Sequence, residues 1–172
     1  DSWTGAAYVY RFDGNTWVEE AKLLASDGVA DDRFGDTVAV SGDTAVIGAF
    51  RRDDLGTESG AAYIFRFNGS SWVEEAKLLA SDGDAGDKCV MASAMSGESV
   101  VVGALESEAV GLKSGAAYVF RFDGSTWVEE AKLVASDGAE YDWFGEQVAV
   151  SGDTAVVGTR LHDGLGPNSG AA

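Results

Sequence analysis

Residues 59–83 read SGAAYIFRFNGSSWVEEAKLLASDG and residues 114–138 read SGAAYVFRFDGSTWVEEAKLVASDG, differing only at Ile64/Val119, Asn68/Asp123, Ser71/Thr126 and Leu79/Val134. The Gly-Ala-Ala near the start of each stretch recurs outward in both directions, at Gly5, Gly60, Gly115 and Gly170, always 55 residues apart. Trp17, Trp72 and Trp127 keep the same spacing. A fixed period of this length is the mark of a solenoid, propeller or array built from one small unit.

Inside one period the pattern is that of strands. From Ala6 to Phe12 the side chains alternate, with Tyr8, Tyr10 and Phe12 on one face and Ala7, Val9 and Arg11 on the other. Asp13-Gly14 follows, matched by Asn68-Gly69 and Asp123-Gly124, and this dipeptide predicts a two-residue type I′ hairpin. The next strand runs from about Thr16 to Ala25. Val18–Leu24 also has good helix propensity, but it follows a tight turn and stands beside aromatic strands of similar length, so a strand is the better reading. As an outer edge strand it gains from Glu19, Glu20 and Lys22, whose charges discourage edge-to-edge pairing. Further on, Thr37–Val40 and Thr44–Gly48 flank Ser41-Gly42-Asp43, where glycine fits the first central position of a II′ turn. Each period thus carries four short strands, and the fold class is all-β.

Bulk composition narrows the function. With 172 residues and 45% apolar side chains the chain has enough to bury a core. Twenty-nine acidic against twelve basic residues give a formal charge of −17, which repels nucleic acid and anionic lipid and favours cations or basic partners. The single cysteine, Cys89, excludes an internal disulfide and reads as a small buried apolar residue. No apolar run approaches the roughly 20 residues of a transmembrane helix.

Phe34-Gly35 and Phe144-Gly145 open the hairpin of Thr37–Gly48 and its later copy, and Gly48-Ala49 and Gly103-Ala104 close the hairpins. This pattern resembles the FG-GAP repeat of integrin-α-type β-propellers, and the resemblance covers nearly the whole chain. It implies blades of four antiparallel strands, an extracellular or cell-surface location, and a non-enzymatic role in adhesion, ligand binding or scaffolding. Integrin-type blades often carry a calcium loop in the first hairpin. Here that position holds only Ser41-Gly42-Asp43-Thr44, Ser96-Gly97-Glu98-Ser99 and Ser151-Gly152-Asp153-Thr154, too few carboxylates for the six to eight oxygens of calcium. The middle copy also departs, with Cys89-Val90 in place of Phe-Gly. Val90 is expected to avoid a positive φ, and Cys89 to fill less volume than phenylalanine between blades.

Starting a blade at the Phe-Gly pair gives a half-blade at 1–27, whole blades at 34–82 and 89–137, and a half-blade at 144–172, about three blades' worth of strands. A propeller closes with about four to eight blades, so the chain alone is expected to stay open. It is then either a segment of a larger ring or a self-assembling repeat whose copies complete each other's half-blades by strand exchange.

The loop between the second and third strands of a blade and the connection to the next blade share one face. There the copies differ most: Arg51, Arg52, Asp53 and Asp54 in one, Glu106 and Glu108 in the next, His162 and Asp163 in the last, with Tyr141 and Trp143 on a nearby connection. Variable loops on a fixed scaffold make these the ligand-binding candidates, for a protein or carbohydrate ligand or for copies of the chain itself. Acidic connections offer calcium candidates: Asp27, Asp31 and Asp32; Asp82, Asp84 and Asp87; Asp137, Glu140 and Asp142. The same Asp-Gly loops are also ordinary turn chemistry. No nucleophile and base stand together, so no catalytic residue is assigned; a carbohydrate-active or lectin-like role is the remote alternative.

Overall fold

The computed structural model describes residues 3–163, 166 and 168–172. Asp1 and Ser2 of the first half-blade, and Gly164, Leu165 and Pro167 of the 160–168 loop, lie outside the described residues. Twelve strands follow in chain order: β1 (Ala7–Phe12), β2 (Trp17–Leu23), β3 (Val38–Ser41), β4 (Thr44–Ala49), β5 (Ala61–Phe67), β6 (Trp72–Leu78), β7 (Ala92–Ser96), β8 (Ser99–Ala104), β9 (Ala116–Phe122), β10 (Trp127–Leu133), β11 (Gln147–Ser151) and β12 (Thr154–Gly158). No helix occurs among the described residues, so Val18–Leu24 is extended as the pattern requires. The strands form two four-stranded antiparallel sheets, β3-β4-β5-β6 and β7-β8-β9-β10, and two two-stranded ones, β1-β2 and β11-β12.

The sheets stack face to face. Tyr63 and Phe65 of β5 pack on Ala7 and Leu23 of the sheet before, while Val46, Ala62 and Ile64 from the opposite face meet Val100, Val102, Tyr118 and Phe120 of the sheet after. Each four-stranded sheet therefore sets an aromatic face against the small aliphatic face of the sheet before it, and β4 and β8 are buried along their whole lengths. Burying one such aromatic side chain stabilises by about 1.5–3 kcal/mol. Strands β3, β7 and β11 come side by side along one edge of the stack. Tyr63 is fully buried, whereas Tyr8, its counterpart on β1, is 52% exposed.

Local geometry departs from the sequence reading at three places. Gly42 takes a positive φ of 58° between the paired Ser41 and Thr44, as a II′ turn needs. The Asp-Gly turns, however, are not two-residue I′ hairpins. Phe12 pairs with Trp17 across a four-residue loop in which only Gly14 has a positive φ, because the Asp13 carboxylate accepts the amides of Asn15 and Thr16 at 2.8 and 2.9 Å. This Asx cap replaces the mirror-image turn. In addition, each outer strand carries a β-bulge that leaves Glu20, Glu75 or Glu130 unpaired in the ladder. The bulge turns that carboxylate to a partner: Glu20 accepts from Arg11 on its own sheet and from the Trp72 indole of the next, at 2.8 Å.

The third departure is Val90. It adopts φ 73°, in the same positive region as Gly35 and Gly145 at 96° and 95°, although valine was expected to avoid a positive φ. A β-branched residue there is strained, and the surroundings hold it: Val90 donates its amide to Gly103 O at 2.8 Å and is buried against Gly48. The parallel bridge formed by Gly5 with Phe34 and by Gly115 with Phe144 has no counterpart between Gly60 and Cys89 among the described residues.

Candidate functional site

Two kinds of loop meet at one end of the stack. Each loop after β4 or β8 closes on itself in the same way, with Gly60 donating to Arg52 O and Gly115 to Ser107 O, both at 2.8 Å; Gly170 donates likewise to His162 O at 2.9 Å. The loop then ties to the connection that follows, through Lys88 to Glu58 O at 3.0 Å and Trp143 to Lys113 O at 3.3 Å. The expected sharing of one face by the variable loops and the acidic connections is therefore what the hydrogen bonds produce.

Each connection is capped by a buried aspartate. Asp32 accepts the Val29 amide at 2.8 Å, Asp87 the Asp84 amide at 3.0 Å, and Asp142 the Ala139 amide at 2.8 Å. A second aspartate links successive sheets: Asp27 accepts from the Tyr63 hydroxyl and the Lys77 ammonium, both at 2.8 Å, and Asp82 from Tyr118 at 2.8 Å and Lys132 at 2.7 Å. Burial and the adjacent carboxylate raise both tyrosine pKa values well above their ordinary range. The carboxylates move the other way. Burial opposes ionisation of Asp27 but is outweighed by Lys77, Tyr63 and Arg52, while Lys132 chiefly lowers Asp82.

What stands over the buried aspartate differs at each junction. At the first, the Arg52 guanidinium donates to Asp32 Oδ2 and Asp27 O, both at 3.0 Å, to Asp54 at 3.1 Å and to Asp27 Oδ2 at 3.2 Å. Despite its burial, these bonds raise the Arg52 pKa further. Lys77 also contacts Asp54. At the third, His162 places Nδ1 2.9 Å from Asp142 and Nε2 3.5 Å from Asp137. At the second, the counterparts of Arg52 and Asp54 are Ser107 and Ala109, and a cavity of about 650 Å³ opens in their place. Asp87 lines it at 6% exposure, and burial raises its pKa.

The remaining candidates fall as follows. Glu106 lies between Lys88 and Lys113 at 3.0 and 2.7 Å, which together lower its pKa against the effect of burial. Glu108 is exposed on the cavity rim. Arg51 pairs with Glu58 at 3.4 Å, and Asp53 caps the same loop by accepting the Glu58 amide. Asp163 does the same for Asn168. Tyr141 is exposed, but Trp143 is half-buried beneath the Arg160 guanidinium, 5.5 Å from the ring centre. The aspartate and glutamate candidates for calcium are mostly engaged: Asp27, Asp32, Asp82, Asp87 and Asp142 with the groups above, Asp84 with the Ala85 amide, and Asp137 with His162. Asp31 and Glu140 are exposed. Among the described residues, no group of three or more His, Cys, Asp or Glu side chains is arranged to hold a metal ion. The β3–β4 turn does not fit the calcium loop of integrin-type blades either, since it presents only Asp43, 3.8 Å from Arg11.

Sequence reasoning singled out Arg52, Asp82 and Asp87 but missed the network of Tyr63, Tyr118, Lys77 and Lys132, and it overlooked Ser107 and Ala109. Aligning the copies at Arg52, Ser107 and His162 would have exposed the gap, because a small residue replaces two large cations.

No curated protein matches the chain. The family model described as the FG-GAP repeat matches it three times in tandem, over residues 17–65, 72–120 and 127–172. With repeating four-stranded sheets packed face to face and a family match across most of its length, the chain belongs to the FG-GAP repeat family.

Proposed function

We propose that this β-propeller-like repeat module is a non-enzymatic recognition element of an extracellular or cell-surface protein, binding a protein or carbohydrate ligand through the loop face. One observation carries the reading: the inter-sheet bonds of Asp27 and Asp82 are the same, while the side chains above them change from Arg52 and Asp54 to Ser107 and Ala109. A constant scaffold under changing loops is the arrangement of recognition surfaces. Cys89 is buried and its thiol is pushed up to about 12, too high to furnish a thiolate nucleophile. The test is retention of beads carrying the chain on surfaces coated with matrix proteins or glycans. Replacing residues 105–113 by a second copy of 50–58 is expected to reduce retention to background, and unchanged retention would sink the reading.

Self-assembly is a second reading, favoured by the open aromatic face of β1-β2. Tyr8 and Trp17 are exposed there, as is Asp137 at the other end of the stack, while their internal counterparts are joined as Tyr63 to Asp27 and Tyr118 to Asp82. A second copy placing β1 beside β12 would repeat that junction. Light scattering decides it: a dimer or larger species is expected, and a monomer at high micromolar concentration removes it.

A further inference from the structure

We infer that Asn68-Gly69, at the tip of the β5–β6 hairpin, is a self-modifying site at which the Asn68 amide is exchanged for a carboxylate through attack by the Gly69 backbone nitrogen. The product is the aspartate that the other two copies already carry at this place, as Asp13 and Asp123.

The tip is an Asx cap that leaves the reacting groups free. Asn68 Oδ1 accepts the amides of Ser70 and Ser71, both at 3.0 Å, and the Ser70 hydroxyl at 2.9 Å. Those three bonds fold the side chain over the Gly69 peptide unit and polarise its carbonyl, which makes Cγ more electrophilic. Asn68 Nδ2, the leaving group, and the Gly69 amide donate to nothing among the described residues. Residues 68–70 are exposed, and the space that a Gly69 Cβ would fill is empty, so nothing bars the approach. No other Asn-Gly pair occurs in the sequence. Asn15 and Asn168 are followed by Thr16 and Ser169, whose Cβ substituents crowd the attacking nitrogen.

The exchange balances with water alone. As hydroxide removes the Gly69 amide proton, the nitrogen adds to Cγ and negative charge collects on Oδ1, where three donors are already aimed. The Cγ–Nδ2 bond then breaks, ammonia leaves with the returned proton, and a five-membered cyclic imide remains. Water reopens the ring. Attack at Cγ gives aspartate, whereas attack at the main-chain carbonyl carbon of residue 68 gives isoaspartate and puts one more carbon into the backbone. The donors on Oδ1 favour the first. The loop disfavours the second, because it is tied by the pairing of Phe67 with Trp72 and by Asn68 N to Ser71 O at 3.0 Å. Aspartate fits: Asp123 accepts the amides of Ser125 and Thr126 at 2.8 Å and the Ser125 hydroxyl at 3.0 Å, the same three bonds. The exchange adds one negative charge to the formal −17. That charge lies beside the β3–β4 turn, where Phe67 donates to Asp43 O at 2.8 Å, at the opposite end of the strands from the loop face.

The test incubates the full chain at neutral pH, folded and in urea. Cleavage after Arg66 and Lys77 releases residues 67–77, which mass spectrometry follows while chromatography separates aspartate from isoaspartate. In the folded chain Asn68 is expected to convert before Asn15 and Asn168, with a larger share of aspartate than in urea. Ser70→Ala removes the hydroxyl donor and should slow the folded reaction about fivefold, while leaving the rate in urea nearly unchanged. Asn68→Asp, the product itself, should unfold at the same urea concentration as the wild type. An Asn68 that stays intact in the folded chain while it converts in urea would overturn the inference. So would an isoaspartate share as large as in urea, an unchanged rate in folded Ser70→Ala, or a clearly lower urea midpoint for Asn68→Asp.

Discussion

The first and second inter-sheet junctions are built on the same bonds and finished differently. In both, a tyrosine hydroxyl and a lysine from one sheet hold an aspartate of the connection before it, with distances that agree within 0.1 Å at 2.8/2.8 and 2.8/2.7 Å. In both, a second aspartate is buried as the cap of that connection, at 3% and 6% exposure. Only the first has a cation on that buried acid. The comparison teaches that sheet stacking does not depend on what the loops contain. Those loops are therefore free to change, and the cost of an unpaired carboxylate stays local to the cavity.

The largest effect that would sharpen this contrast comes from removing that cation. Arg52→Ala leaves Asp32 buried without its cation and should cost about 3–5 kcal/mol in urea-induced unfolding. Ser107→Ala, at the same place in the next repeat, removes no ion pair but only the hydrogen bond of a buried hydroxyl to Tyr118, and should cost about 0.5–1.5 kcal/mol. Similar losses at the two positions would break the comparison. The shared bonds come next. Tyr63→Phe and Tyr118→Phe each delete a hydroxyl donor to a carboxylate, and each should cost about 1.5–3 kcal/mol, with the two values close together. A large difference between them would mean that the loop contents do reach the scaffold.

A third, smaller effect concerns the Phe-Gly pair. A Cβ added at Gly35 would lie 2.4 Å from Ala6 O, at a φ of 96° that L residues avoid. Gly35→Ala should lower stability by at least about 1–2 kcal/mol, read as a drop in the urea midpoint. Yet Val90 occupies the corresponding place in the middle repeat, which marks the limit of what the sequence could tell. The strands, their order and the II′ turn at Gly42 were legible because alternation and turn residues act locally. The conformation of Val90 was not, since its positive φ is imposed by the Gly103 carbonyl and by packing on Gly48, both distant in the chain. The Asp13 turn was misread because Asp-Gly serves both a I′ turn and an Asx cap, and only the pairing of Phe12 with Trp17 separates them. The candidate site was half legible. Its acids stand out in the connections, but its cavity arises from what Ser107 and Ala109 lack, and an absence is visible only once the neighbouring copies are superimposed.

The third junction provides the mildest test, through pH. His162 takes the place of Arg52, and its bond to Asp142, aided by the charges of Asp137 and Asp163, raises its pKa above the usual histidine value despite opposing desolvation. A raised folded value means that folding favours the protonated ring. Its contribution to stability is therefore complete below about pH 6.5, the ordinary value in an unfolded chain, and fades as pH rises through the higher folded value. His162→Gln should accordingly lower the melting temperature more at pH 5 than at pH 9, and by less than any of the substitutions above. Arg52 stays charged across this range, so the deficit of Arg52→Ala should not follow the same curve. If both deficits moved together with pH, the titrating group would belong to the shared aspartates, and the three junctions would differ less than the side chains over their buried aspartates imply.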